Sequence, residues 1–251
     1  MSGVYYFGHS RPLARNNIDL PQAQNFHDFV DTVSTSSEDK VEQPKTEKAT
    51  GTTVAAVPSK KIAEDINLAV PFTSQAPTQN WNQPFQDACE EASLLMVDYY
   101  YQNKNLPDKV AVENILQDMV TWQEQHWGAH ENLTVAKLAD FALTNFNYHS
   151  EIVHDLTVDK IKSYLLKGRP LIVPADGKKL ANPNFRNGGP VYHMLVIKGF
   201  VGDKFITNDP GTRNGADFVY AQDNLIESIA DWDANKNAAS GGKVALVIMP
   251  K

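Results

Sequence analysis

Cysteine is nearly absent: Cys89 is the only one among 251 residues. That excludes an intramolecular disulfide framework and any zinc site built from several thiolates. No run of about 20 apolar residues occurs, so no segment reads as a membrane span. The sequence also has no G-x-x-x-x-G-K-[ST] loop to cradle a nucleotide phosphate. Basic charge is scarce as well. Lys and Arg number 23 against 30 Asp and Glu, giving a formal charge of −7 and a pI near 5.5. Binding to phosphate backbones needs a basic surface, which argues against nucleic acid, and an anionic membrane surface is disfavoured on the same ground.

Aromatic residues are missing from residues 31–61, "DTVSTSSEDKVEQPKTEKATGTTVAAVPSKK". A stretch so rich in Ser, Thr, Lys and Glu cannot bury enough apolar surface to offset its ordering entropy, and it reads as a linker. The segment before it, "GVYYFG" followed by "HSRPLAR", admits two readings. One is the aromatic and basic edge of a membrane helix whose apolar part lies upstream, a tether that would place the protein outside the cytoplasm. The other is an unstructured terminus with a few aromatics. Residues 1–65 are therefore expected to be an N-terminal segment and linker, and residues 66–251 one folded domain. An apolar fraction of 42% allows that domain a sizeable core.

Within the domain the pattern changes along the chain. "INLAVPFTSQAP" reads as a short extended opening. Val112, Ile115, Leu116, Met119 and Val120 recur at helical spacing, as do Val135, Leu138, Ala142 and Phe146. Ile161, Leu165 and Leu166 mark a third helix, which Gly168 and Pro170 stop. The runs "LIVPA", "VYHMLVIKGF", "KFITND" and "KVALVIMPK" are strand-like, and "QDNLIESIADWD" reads as a short helix. Helices first and antiparallel strands later predict an α+β fold.

Cys89 lies in "QDACEEASLLMVDYY", at the start of a further helix. Asp87 as N-cap with Glu90 three residues on would form a capping box and place Cys89 at the second helical position. Backbone N–H groups there lack intrahelical partners and stabilise a thiolate. Asp87, Glu90 and Glu91 oppose ionisation, since nearby negative charge favours the thiol. A reactive Cys89 would need a cationic partner; otherwise it is a small buried hydrophobe.

Seven histidines are available. His9 and His27 precede the linker, and His149 and His154 fall in what reads as a solvated polar connection. His126 and His130 are four apart, but Gly128 interrupts the helix and no third ligand is evident, so no metal site is expected. His193 is different. It stands at the mouth of the apolar run "MLVIKGF", where an unpaired charge would be costly.

The strand after it ends in "FITNDPGTR", which places Asn208 and Asp209 opposite. With a three-residue hairpin loop at Val201, Gly202 and Asp203, Asp209 shares the face of His193, diagonal to it at roughly 7–8 Å by Cα. With a two-residue Gly202-Asp203 turn the parity shifts and Asn208 takes that face. Either side chain could accept the Nδ1 hydrogen bond that orients a catalytic imidazole. The segment "DGKKLANPNFRNGGPVYH", long and rich in Gly and Asn, reads as a loop facing substrate or as a tolerated insertion.

"VPFTSQAP", "ACEEASLLMVDYY", "YHMLVIKGF" and "ITNDPGTRNG", in that order, resemble the C39-like group of papain-like cysteine peptidases, bacterial relatives of domains that cleave double-glycine leaders. The resemblance covers residues 68–251. It implies a papain-like fold in which a helical half carrying the nucleophile helix packs on a C-terminal antiparallel sheet. It also implies Cys89 as nucleophile, His193 as base and later acid, Asp209 as orienting residue and Gln75 as oxyanion donor beside the Cys89 backbone N–H. Gln83, six residues before the cysteine as in papain-type enzymes, competes for the oxyanion role, and Asn208 is the alternative orienting residue. "CEE" replaces the small residues that follow the cysteine in many relatives. The resemblance implies hydrolysis of a peptide or related amide bond, in a monomer that takes a peptide or protein substrate without cofactor. Acyl transfer by the same triad, or peptide binding on a retired scaffold, are the alternatives.

Overall fold

The computed structural model describes residues 65–251. The expectations for the tail and the linker fall outside the described residues. Seven strands form one antiparallel sheet, with β2 (Tyr148–His154), β9 (Val244–Pro250), β3 (Leu171–Ala175), β4 (His193–Val201), β5 (Lys204–Asn208) and β6 (Phe218–Ala221) in that spatial order. β1 (Asp65–Asn67) pairs with the far end of β4. A separate ribbon joins β7 (Trp232–Asp233) to β8 (Ala238–Ala239).

Among the described residues five α-helices accompany the strands: α1 (Cys89–Tyr101), α2 (Lys109–Trp127), α3 (Val135–Phe146), α4 (Val158–Leu165) and α5 (Gln222–Ser228). Local chemistry sets the ends of several. Asp108 caps α2 by accepting from the Val110 and Ala111 amides at 3.0 and 3.1 Å, and Gly128 ends it with a φ of 78°. Thr134 and Thr157 cap α3 and α4. The helix α1 is buried on all sides, and of its residues only Tyr99 is not fully buried. It lies against β4, where the Ser93 hydroxyl donates to the Met194 carbonyl at 3.3 Å. The fold is thus the expected α+β arrangement, a helical half packed on an antiparallel sheet.

Three sequence expectations are corrected. The connection holding His149 and His154 is a strand, because β2 pairs residue for residue with β9 along its full length; both histidines are exposed. The helix expected over residues 222–233 stops at Ser228. Ile229 turns extended and bridges Ala175, and Asp231 leaves the helix to accept the Val135 amide at 3.1 Å. The capping box is absent. Phe85–Asp87 form a 3-10 turn, Ala88 is the N-cap without a side-chain bond, and Cys89 is the first helical residue. Asp87 instead accepts from Gln83 Nε2 at 2.5 Å, and Glu90 turns inward.

Candidate active site

β4 and β5 decide what faces His193. Their hairpin is the two-residue kind, with Val201 opposite Lys204. A regular ladder from that turn would give Asn208 the His193 face. Between Ile197 and Gly199 the register shifts, leaving Lys198 as the extra residue of a bulge. The parity flips once more, and Asp209 meets His193.

That contact is made through the other ring nitrogen: His193 Nε2, not Nδ1, lies 2.7 Å from Asp209 Oδ1. The Phe185 ring stands at 80° to the imidazole with 5.2 Å between ring centroids. Gly211 approaches so closely that a Cβ there would sit 2.8 Å from His193 Cε1, which explains why a glycine stands at this position.

Asp209 is fully buried and fully engaged. Its Oδ1 also accepts from the Gly211 amide at 3.0 Å, and its Oδ2 accepts from Tyr220 Oη at 2.6 Å and Asn182 Nδ2 at 3.0 Å. Burial alone would raise its pKa. The facing His193 and the hydrogen bonds from His193, Tyr220 and Gly211 outweigh it and hold the carboxyl below its ordinary value. Asn208 points the other way. Its amide donates to the Val70 and Pro71 carbonyls at 3.0 and 3.2 Å, fastening the chain that leads into the site.

Cys89 is 6% exposed and lies with His193 in a cleft of about 860 Å³ between the helical half and the sheet. Its thiol donates to Glu90 Oε2 at 3.0 Å. Burial pushes the thiol pKa well up, and the charge and hydrogen bond of Glu90 and then the charge of Glu91 push further; the Met194 backbone amide acts in the opposite sense. Glu90 itself is buried, and its Oε1 accepts the Leu133 amide at 2.9 Å.

The two glutamines separate. Gln75 lines the cleft and is buried, with Nε2 donating to the Phe85 and Gln86 carbonyls at 3.0 and 2.7 Å. Gln83 is exposed, bonded to Asp87, and does not line the cleft. The loop before β4 does, through Asn184, Phe185, Arg186 and Pro190. His126 and His130 do not line the cleft. His126 stacks on Trp122, and His130 Nδ1 lies 3.4 Å from Glu124. No group of three or more His, Cys, Asp or Glu able to hold a metal occurs among the described residues.

Sequence reasoning did not foresee Tyr220 and Asn182 behind Asp209, nor the contact of Glu90 with the sulfur. For Tyr220 a signal existed. "FVYA" alternates, and its period of two puts Phe218 and Tyr220 on one face. The turn of Glu90 into the cleft depends on the Leu133 amide, 43 positions away, and no local pattern carries it.

Residues 67–240 match the profile of the "Peptidase_C39 like family". Among solved structures, a protein described as a C39-like peptidase from Bacillus anthracis is similar at 15% identity and a TM-score of 0.47, over 75% of this chain and 98% of that one. The peptidase domain of Streptococcus ComA, a bifunctional ABC transporter in a quorum-sensing pathway, is similar at 13% identity and a TM-score of 0.32, over 66% and 93%. No curated protein matches.

Proposed function

Because the chain belongs to the C39-like peptidase family, we propose that it hydrolyses a peptide bond through Cys89, His193 and Asp209. The observation that carries this reading is the meeting, in one cleft, of a helix-opening cysteine with a buried imidazole whose Nε2 lies 2.7 Å from a buried carboxylate. The first-turn N–H groups of α1 favour negative charge at the sulfur, and an imidazolium beside it supplies the cation that burial and two glutamates otherwise deny it.

The thiolate attacks the acyl carbonyl of a peptide or protein chain lying in the cleft. The Cys89 backbone N–H and the Gln75 amide stabilise the oxyanion, an interaction worth roughly 3–4 kcal/mol per donor. Gln75 must release one of its two carbonyl partners to do so. His193, acting as base and then as acid, protonates the leaving amine, and on the return it takes a proton from the water that cleaves the thioester. Asp209 keeps the ring in the orientation that leaves Nδ1 for this work.

The test is hydrolysis of a peptide library by the full chain and by Cys89→Ala and Cys89→Ser, read by mass spectrometry with thermal melting alongside. Turnover is expected to vanish while the cooperative melt remains. Unchanged hydrolysis in Cys89→Ala overturns the reading, and a collapse of the melting temperature without any prior turnover assigns Cys89 to the core.

A further inference from the structure

The acceptor of the Cys89 thiol is a carboxylate on the same helix, and this sets a condition on the reactive state. Glu90 Oε2 is 3.0 Å from the sulfur, its Oε1 is fixed by the Leu133 amide at 2.9 Å, and the residue is 1% exposed. Two anions so close in a buried site repel strongly. A thiolate at Cys89 and a carboxylate at Glu90 therefore exclude one another.

We propose that Glu90 is a further catalytic residue: as a neutral carboxylic acid it donates the hydrogen bond that stabilises the Cys89 thiolate. The inference rests on the reading of Cys89 as nucleophile. Cys89, Glu90 and His193 share two protons in the reactive state, one on Glu90 Oε2 and one on the imidazole. At rest the first proton sits on sulfur and the carboxylate accepts it. In the reactive state the S–H bond is broken, the O–H bond is made, and the same hydrogen bond runs from oxygen to sulfur. His193 then gives its proton to the leaving amine and recovers one from water. When the thioester is cleaved the sulfur can take its proton back from Glu90, so the cycle closes without an external acid or base.

The surroundings support a proton on Glu90. Burial, opposed by the hydrogen bonds from Cys89 and Leu133 and by the charge of His193, leaves its pKa at about 7. From its own helix Cys89 and Glu91 face it, and Asp87 adds negative charge beyond Glu91. From the segment opening β4 come His193 and Tyr192, whose hydroxyl donates to the Leu133 carbonyl at 2.7 Å and contacts Asp231 at 3.2 Å. His193 is the one cation-forming group among these.

Cys89 is the chain's only cysteine, which makes alkylation an unambiguous readout. The experiment measures the rate of iodoacetamide labelling of the full chain at about pH 6 and about pH 8 by intact mass. An ordinary thiol ionises about a hundredfold more over that interval. The thiolate beside a neutral Glu90 holds the same single proton as the thiol beside a carboxylate, so the ratio of the two does not change with pH. The wild-type rate can therefore grow only as the pair gives up its other proton, by about tenfold at most for a Glu90 value of about 7. Glu90→Gln keeps an oxygen for the Leu133 amide and supplies an N–H, but it cannot take the sulfur's proton, so its rate should rise more steeply than that of the wild type. Glu90→Ala supplies no donor and should react at least about tenfold more slowly than Glu90→Gln at about pH 6. A wild-type rate that rises about a hundredfold, or a profile identical in wild type and Glu90→Gln, overturns the proposal. The wild-type ratio alone decides if a variant folds poorly. Cleavage that needs Cys89 and His193 but accompanies a rise in alkylation of about a hundredfold would leave the peptidase reading standing and this one fallen. A rise of less than about tenfold in a protein that cleaves no peptide would do the reverse.

Discussion

At the scale of single residues, adjacent side chains in the "ND" pair have opposite duties. Asp209 places its four acceptor contacts on His193, Gly211, Tyr220 and Asn182, whereas Asn208 spends its amide on the carbonyls of Val70 and Pro71. One orients the imidazole; the other holds the strand end to the segment that leads to Gln75. Asp209→Ala is expected to lower kcat by about 10³ to 10⁴-fold, the scale on which a triad responds when its orienting carboxylate is removed. Asn208→Ala should leave the orientation of His193 intact and instead lower stability by roughly 1–3 kcal/mol, because the buried Val70 carbonyl and the part-buried Pro71 carbonyl lose their donor. Steady-state kinetics and denaturant unfolding of the two variants check the division. Equal loss of kcat in both would show that the pair acts as one unit.

At the scale of elements, the decisive feature is the bulge in β4. Hydrophobic spacing alone located α2, α3 and α4 and the strands β3, β4, β5 and β9, because those segments bury one face or both and repeat at 3.6 or 2 residues. It also narrowed the partner of His193 to Asn208 or Asp209. Choosing between them needed the register, and register depends on a contact between distant segments. β1 pairs with β4 at Ile66 and Asn67, and the Leu68 amide donates to the Lys198 carbonyl at 2.8 Å, so the extra residue is held by a strand more than 130 positions away in sequence. Gly199 permits this approach: a Cβ there would stand 2.1 Å from the Ile66 carbonyl oxygen. Gly199→Ala is therefore expected to dislodge β1 and cost roughly 1–3 kcal/mol, as overpacking of a fitted contact does. Hydrogen exchange should show lost protection at the Leu68 amide while the β2–β9 ladder stays protected. Retained protection at Leu68 would mean that the backbone yields elsewhere.

At the scale of the whole molecule, α1 carries two buried carboxyls into the core, and they link stability to pH. Glu90 is tied to the loop before α3 through Leu133, and Glu91 to α2 through Gln123 Nε2 at 2.5 Å. Glu91 is fully buried, and its Oε2 has no partner among the described residues. Burial first, then the negative charge of Glu90, raises Glu91 from 4.5 to about 8, and burial raises Glu90 to about 7. Both folded values lie above the unfolded ones. The folded chain therefore keeps protons that the unfolded chain releases, and stability falls with rising pH wherever the folded state binds more protons. Their contribution is complete below about pH 4.5 and is lost progressively up to about pH 8. Asp209 works in the other direction: its folded pKa lies below 3.8, so its contribution is present above that value and is lost on further acidification. Together these groups place their greatest stabilisation in mildly acid solution. Thermal unfolding of the full chain should show a lower melting temperature at about pH 8 than at about pH 5, and Glu91→Gln, which cannot ionise, should flatten that slope. An unchanged slope in Glu91→Gln would show that the carboxyl finds water or a cation as it ionises. The helical half would then tolerate a charge at the place where its three segments meet.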